Sequence, residues 1–348
     1  MSLIATRLQK FRAAAPLDKW ETRASRYGAL DLFKVQTDDE MGIISSDLAQ
    51  KAIASVGSNL EVPAFNKNAG VQVLNQTIPV LIEGVENTSR LIPITFQHYY
   101  FSFLVHPALH MNNELGMQAD FNKKLRDRTL KLMGMLNDAA LAKLDAMKTK
   151  VLADNLGGRY TFANDAVTAP LAEQEAAVGD IGVLQAGNDY FDRQHVLANG
   201  SMESLVRNKL MEKGEFNREN KTYQYADKTW HFTNNLDNAA DRKATSYAVQ
   251  RGSVGMLQQF ARDCVLGNRT HKHLWDIETL PILNMPFGVY QYEDSVDGSG
   301  LAGAASADMT ATKAESYAFH SAIAFIGTDQ SDPTTNATPV LKLDIATT

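Results

Sequence analysis

Gly298, Gly300 and Gly303 stand at the spacing that lets a strand-to-helix turn approach a pyrophosphate, the fingerprint of dinucleotide binding. That chemistry needs a strand running into the first glycine, a helix opening at the third and an acidic ribose ligand on a later strand. Here Glu293, Asp294 and Asp297 intervene after the strand and only about 45 residues follow, so the segment reads as a surface loop. His106, His110 and Glu114 are four residues apart, which on one continuous helix would stack three zinc ligands on a face. Pro107 interrupts such a helix, and the glutamate is misplaced for the metalloprotease pattern, so both histidines read as boundary residues with ordinary hydrogen bonds. His271-Lys-His273 reads as a polar turn after Gly267. Cys264 is the only cysteine; it falls in an apolar stretch read as helix, where a buried inert thiol is expected and no internal disulfide can form. The chain has no nucleophile elbow, no P-loop and no C-x-x-C pair, and nothing marks two carboxylates as acid and base. The expectation is therefore no catalytic residue, no cofactor and no metal, and a protein that is not an enzyme. The aromatic run Phe96, Tyr99, Tyr100, Phe101 and Phe103 has strand spacing and reads as core and interface rather than as a base-stacking platform.

Composition narrows the classes further. Over 348 residues, 44% hydrophobic and 21% charged content excludes wholesale disorder, and a net charge of −6 argues against a dedicated nucleic-acid binder. Positive charge is nevertheless local: the opening segment carries Arg7, Lys10, Arg12, Lys19, Arg23 and Arg26 against Asp18 and Glu21. Met1-Ser-Leu-Ile-Ala lacks the apolar core of a signal peptide. The most apolar run, Leu91 to Val105, is too short to span a bilayer and is broken by Pro93, Gln97, His98 and Ser102, so a soluble protein without a membrane partner is expected.

The elements follow from periodicity. Leu3, Ile4, Leu8 and Phe11 share one side of a short helix ending before Pro16. A polar extended arm then runs to Glu40 with Leu30, Leu32 and Phe33 as anchors, and Ser45 or Ser46 caps a helix through Val56. From Val56 to Val105 the pattern is β: Val62 and Phe65, a turn at Asn66 to Gly70 with Lys67 at its tip, then Val71, Val73, Ile78 and Val80, and a return strand from Leu91. Phe121, Leu125, Leu132, Leu136, Ala140, Leu144, Met147 and Val151 mark one helix from about Glu114 to Val151, on the order of 55 Å long. A helix of that length beside a long hairpin is expected to find little to bury itself against within one subunit. Thereafter come a helix from Leu171 to Gln185 behind a Thr168 cap, a strand at His195, a helix from Ser201 to Lys213 and strands at Thr222 and Thr229. A helix from Gly252 to Val265 follows, and then strands at Leu274, Phe287, Ala318 and Val340.

In this order the chain resembles the major capsid proteins of tailed bacteriophages with the Hong-Kong-97 fold. The stretches carrying the resemblance include Gly187-Asn-Asp-Tyr-Phe-Asp, His195-Val-Leu-Ala-Asn-Gly-Ser201, Tyr247-Ala-Val-Gln-Arg-Gly252 and Leu280-Pro-Ile-Leu-Asn-Met-Pro-Phe-Gly-Val-Tyr. The resemblance implies an α+β, Hong-Kong-97-like capsid fold. Residues 1–55 would be the N-terminal arm and short helix, and 56–110 the extended β-hairpin loop. A peripheral domain with the long spine helix would take 111–165 and an axial α/β domain 166–270, with return strands in 271–348. It implies a self-assembling subunit of hexamers and pentamers in an icosahedral shell enclosing double-stranded DNA, assembled in the bacterial cytoplasm and residing in the virion capsid. Portal, scaffolding and decoration proteins would be further partners. On that reading Phe65, Lys67, Val71, Val73, Ile78, Val80, Leu32 and Phe33 would line subunit interfaces, and Arg7, Lys10 and Arg12 would face DNA without sequence preference. An encapsulin-like nanocompartment shell, and less so a soluble α/β enzyme, are the alternatives.

Overall fold

A computed structural model describes residues 3–14, 27–40, 42–54, 60–65, 89–110, 113–213, 215–217, 222–225, 228–236, 243–267, 273–296, 312–328 and 336–346. The chain opens with helices α1 (Leu3–Ala14), α2 (Gly28–Thr37) and α3 (Ser46–Ala54), then strands β1 (Glu61–Phe65), β2 (Ser89–Pro93) and β3 (Gln97–Val105). The long helix α4 (Glu114–Met147) follows a 3-10 turn at Pro107–His110. Next come β4 (Thr161–Ala163), β5 (Ala166–Ala169), α5 (Gln174–Gly187), β6 (Gln194–Ala198), α6 (Gly200–Lys213), β7 (Glu215–Asn217), β8 (Thr222–Tyr225), β9 (Lys228–Phe232) and β10 (Ala244–Gln250). The chain continues through β11 (Val254–Gln259), α7 (Arg262–Leu266), β12 (His273–Leu280), β13 (Met285–Val296), β14 (Thr312–Gly327) and β15 (Val340–Ile345).

Two sheets and one hairpin organise these strands. The first sheet runs β11-β14-β13-β12, with β3 on the far edge of β14. The second runs β4-β5-β15-β10-β6-β9-β8-β7, so β15 enters its interior, antiparallel to β10 and parallel to β5. Among the described residues β1 and β2 pair only with each other.

Helix α4 starts where Asn113 accepts a hydrogen bond from the Leu115 amide (3.0 Å), satisfying one of the orphan N–H groups of the first turn. It ends at Met147, four residues before the expected Val151, because Lys148 turns extended and Thr149 donates its amide to the Val340 carbonyl at 2.8 Å. Its 34 residues span about 51 Å. Contrary to the expectation of an unsupported rod, its apolar stripe is buried by its own chain. Phe121, Leu125, Leu136, Ala140 and Leu144 are fully covered in one core with Ile4, Leu8 and Phe11 of α1, Leu30 and Phe33 of α2, and Phe103, Tyr317 and Phe319 of the first sheet. Edge-on contacts of Phe121 with Phe103 (5.4 Å between ring centres) and Tyr317 (5.0 Å) lie at its centre.

Residues 28–37, expected as extended arm, are helical. The helix lacks a side-chain cap of its own; Asn137, buried midway along α4, accepts hydrogen bonds from the Ala29 (3.1 Å) and Leu30 (3.4 Å) amides instead. This cap in trans is invisible to local sequence. The segment Val254–Gln259 is a strand rather than the start of a helix. It is buried on both faces: Val254 and Met256 join the α4 core, whereas Leu257 packs with Ile44 and Ala52 beside α3. A strand covered on both sides loses its alternation and mimics a buried helix. Gly255 makes that packing feasible, since a Cβ there would lie 2.6 Å from the Ile44 Cδ1.

Smaller differences have similar causes. Pro93 divides the expected Leu91–Val105 strand into β2 and β3. Thr168 belongs to β5, and a 3-10 turn at Leu171–Glu173 precedes α5. β7 and β10 lacked a readable alternation; β10 is central and buried almost throughout. Capping of α3 is as expected, with Ser45 Oγ accepting from the Leu48 amide at 3.2 Å.

The trans cap yields a specific expectation. Asn137→Leu leaves two buried α2 amides unsatisfied and lowers stability by about 1–3 kcal/mol. Leu115→Ala, at a position 80% exposed, stays within about 0.5 kcal/mol. Urea denaturation followed by circular dichroism separates the two.

Candidate functional site

The residues expected to meet neighbours or DNA divide into three groups. Arg7 is 1% exposed. Its guanidinium donates to Glu315 at 2.7 Å and to the Tyr317 hydroxyl at 2.8 Å, while Gln118 on α4 donates to the Arg7 carbonyl at 3.1 Å. Tyr317 in turn donates to Glu315 at 2.6 Å; burial and the neighbouring carboxylate raise its pKa. Arg7 therefore pins α1 to β14 and α4 from inside, which corrects its placement against DNA: a desolvated guanidinium needs this carboxylate. Lys10 is half exposed and pairs with Glu114 at 3.0 Å; Arg12 is exposed and donates to the Thr279 carbonyl at 2.6 Å.

Leu32 and Phe33 are fully buried within the chain, Phe33 edge-on to Phe325 at 5.0 Å, so they are anchors of α2 and not an open interface. Phe65 closes β1 opposite Ser89. Lys67, Val71, Val73, Ile78 and Val80 lie outside the described residues, as do His271 and the glycines at 298, 300 and 303.

The histidine spacing does not gather into one site. Glu114 turns to Lys10, His110 lies 3.4 Å from Asp120, and the Nδ1 of buried His106 has no partner among the described residues. No group of three or more metal-binding side chains occurs among the described residues. His273, expected in a turn, is a strand residue stacked on Tyr292 (4.4 Å between ring centres), with its Nδ1 2.6 Å from the Tyr290 hydroxyl. Cys264 lies in α7, not in a long helix; burial pushes its thiol up to about 11, leaving it protonated. Phe101 and Phe103 pack into the core against Phe319, whereas Tyr100 on the other face is 74% exposed.

Two histidine pairs escaped sequence reasoning, since nothing local tells which strands will be neighbours. His195 on β6 and His231 on β9 meet Nδ1 to Nε2 at 3.2 Å in the parallel pair, and His98 on β3 meets His320 on β14 at 3.1 Å. In each pair the ring planes are within 21° of parallel, and between neutral rings the tautomer decides which nitrogen carries the proton. Burial drives His195 down to about 4, with Asp39 opposing and Arg251 and Arg193 assisting; burial and His195 drive His231 to about 3.

No protein-family model matches the chain, and no curated protein matches it. Solved structures that it resembles are phage capsids. With the cyanophage A-1(L) capsid asymmetric unit it shares 10% identity over 88% of this chain and 94% of that one, at a TM-score of 0.48. For the cyanophage Pam1 capsid asymmetric unit the figures are 11%, 92% and 93%, and 0.45. For the capsid structure of cyanophage P-SCSP1u they are 12%, 85% and 86%, and 0.46. Among the described residues no helix is long and apolar enough to cross a membrane.

The buried imidazoles set a pH dependence. Both are neutral in the fold and bind protons more readily once unfolded, near the ordinary value of about 6.5. Their contribution is complete above about pH 6.5 and is lost as pH falls towards about 4. Stability measured by denaturant titration should decline across that window, and the double variant His195→Gln with His231→Gln should decline less steeply.

Proposed function

We propose that this chain is a shell-forming structural subunit, a major capsid protein that assembles into hexamers and pentamers around double-stranded DNA. The observation that carries the reading is the division of labour between a self-sufficient body and the β1–β2 hairpin. The body buries its own spine helix, whereas β1 and β2 bond to neither sheet. A lone two-stranded ribbon is marginal in water; set against a sister subunit it acquires the second surface it needs, and one such contact repeated head to tail closes a ring. The order of the pieces supports the same reading: an N-terminal helix, the ribbon, the spine helix, a second sheet with helices α5 and α6, and strands returning to both sheets.

The role is architectural, and the virion capsid is the proposed location. Contact with DNA is non-specific on this reading and falls to exposed cations. Lys10 and Arg12 remain available from the arm, and Lys123, Arg128 and Lys131 from the solvent side of α4. An overall charge of −6 keeps that contact weak.

Electron microscopy of the purified protein tests the proposal. Closed icosahedral particles, eluting in the void volume of a sizing column, are the expected result. Replacing residues 66–88 by a short Gly-Ser turn should leave the circular dichroism of the body nearly unchanged and abolish closed shells. A protein that stays monomeric under all assembly conditions, or a shortened variant that still closes shells, would refute it.

A further inference from the structure

A cleft of about 430 Å³ opens between the outer edge of β3 and the middle of α4, lined by Ser102, Phe103, Leu104, His106, Leu109, Lys124, Arg128 and Ser316. Its charge is uneven. Arg128 is exposed, and its guanidinium has no hydrogen bond or ion pair to another described residue; its carbon lies 5.9 Å from the centre of the Phe103 ring. Lys124 donates to the Leu104 carbonyl at 2.9 Å and to Asp120 at 2.6 Å, which leaves a third ammonium proton. Among the described residues no carboxylate lines the cleft itself; Asp120, behind Lys124, pairs with that lysine at 2.6 Å.

The backbone adds donors. Because the Leu104 carbonyl is taken by a lysine and not by a strand, it points to the free edge of β3. In an antiparallel strand the amide and carbonyl of one residue point the same way and alternate residues agree. The Leu104 and Ser102 amides therefore face the cleft. His106, 6% exposed, stands in the wall with its Nδ1 unpartnered among the described residues.

We propose that this cleft binds a phosphate group, held by Arg128 and Lys124 with the edge amides completing its shell. A tetrahedral oxyanion matches a guanidinium fork beside an ammonium; Arg128 has no acceptor among the described residues, and Lys124 keeps one proton beyond those given to Leu104 and Asp120. The source is inorganic phosphate or the phosphodiester of a nucleic-acid strand. The groups facing His106 are Lys124 and Asp120 on α4 and His110 on the preceding turn; burial and then Lys124 hold its pKa down, with Asp120 opposing. An anion seated beside it favours the protonated ring, so binding near pH 6 takes up a proton. The site does not depend on the shell reading, since it lies within one chain and is measured in whatever assembly the protein forms.

Calorimetric titration of the full chain at low salt and pH 6, in two buffers of different ionisation enthalpy, tests this with three probes: inorganic phosphate, sulfate as an oxyanion without a proton of its own at that pH, and a short DNA duplex. The expected result is saturable phosphate and sulfate binding, proton uptake with sulfate, and about tenfold weaker binding in Arg128→Gln, the loss of one charge-assisted hydrogen bond. His106→Asn should still bind and take up no proton. Duplex binding weakened by Arg128→Gln assigns the site to nucleic acid; duplex binding unchanged, with phosphate binding weakened, assigns it to the free anion. No binding of phosphate or sulfate by the wild type, or equal affinity in Arg128→Gln with native circular dichroism, overturns the proposal.

Discussion

Helix α2 is the wedge on which the arrangement of the two sheets depends. Its first residue presses on the second sheet: a Cβ at Gly28 would lie 2.4 Å from the Phe232 carbonyl of β9. Only glycine allows that approach. Its first amides are capped by Asn137 of α4. Its last turn reaches the first sheet, where Thr37 Oγ1 accepts from the Met256 amide at 2.8 Å. Just beyond, Asp39 receives two hydrogen bonds from Arg251 in the turn between β10 and β11. Ten residues thus touch both sheets and the rod between them, and the relative placement of the sheets follows from their burial.

That wedge was the least legible part of the chain. Leu30, Leu32 and Phe33 announced burial, but the helix lacks a capping side chain of its own and its partner lies over a hundred positions away, at Asn137. Long apolar stripes with local start signals were readable, as α1, α3 and α4 illustrate, because their periodicity is an intrinsic consequence of one buried face. β11 was not, since covering both faces erases the period. Of the candidate site, β1 and β2 fall within the stretch read as β, whereas the alternating residues Val71, Val73, Ile78 and Val80 lie outside the described residues. The inward fate of Arg7 and the pairing of His195 with His231 were not legible, because each depends on which strands become neighbours.

The second sheet is tied to the rod as well as to the wedge. Tyr247 of β10 donates to Asp145 near the end of α4 at 2.8 Å, and Lys342 of β15 lies 3.8 Å from the same carboxylate. Burial raises the Tyr247 pKa, with Asp145 adding to the effect, so the phenol remains a donor. Polar ties of this kind fix angles that apolar packing alone leaves soft. A body tied this way holds its second sheet at a fixed angle to α4.

The position of β15 has a bearing on biosynthesis. It fills the gap between β5 and β10, and the carboxylate closest to the Arg7 guanidinium, at 2.7 Å, belongs to Glu315 on β14. On the ribosome, neither sheet can close until β14 and β15 have emerged, and contacts this distant in sequence form slowly. A chain synthesised only as far as β13 therefore carries two open sheets, whose unpaired edges wait for β14 and β15.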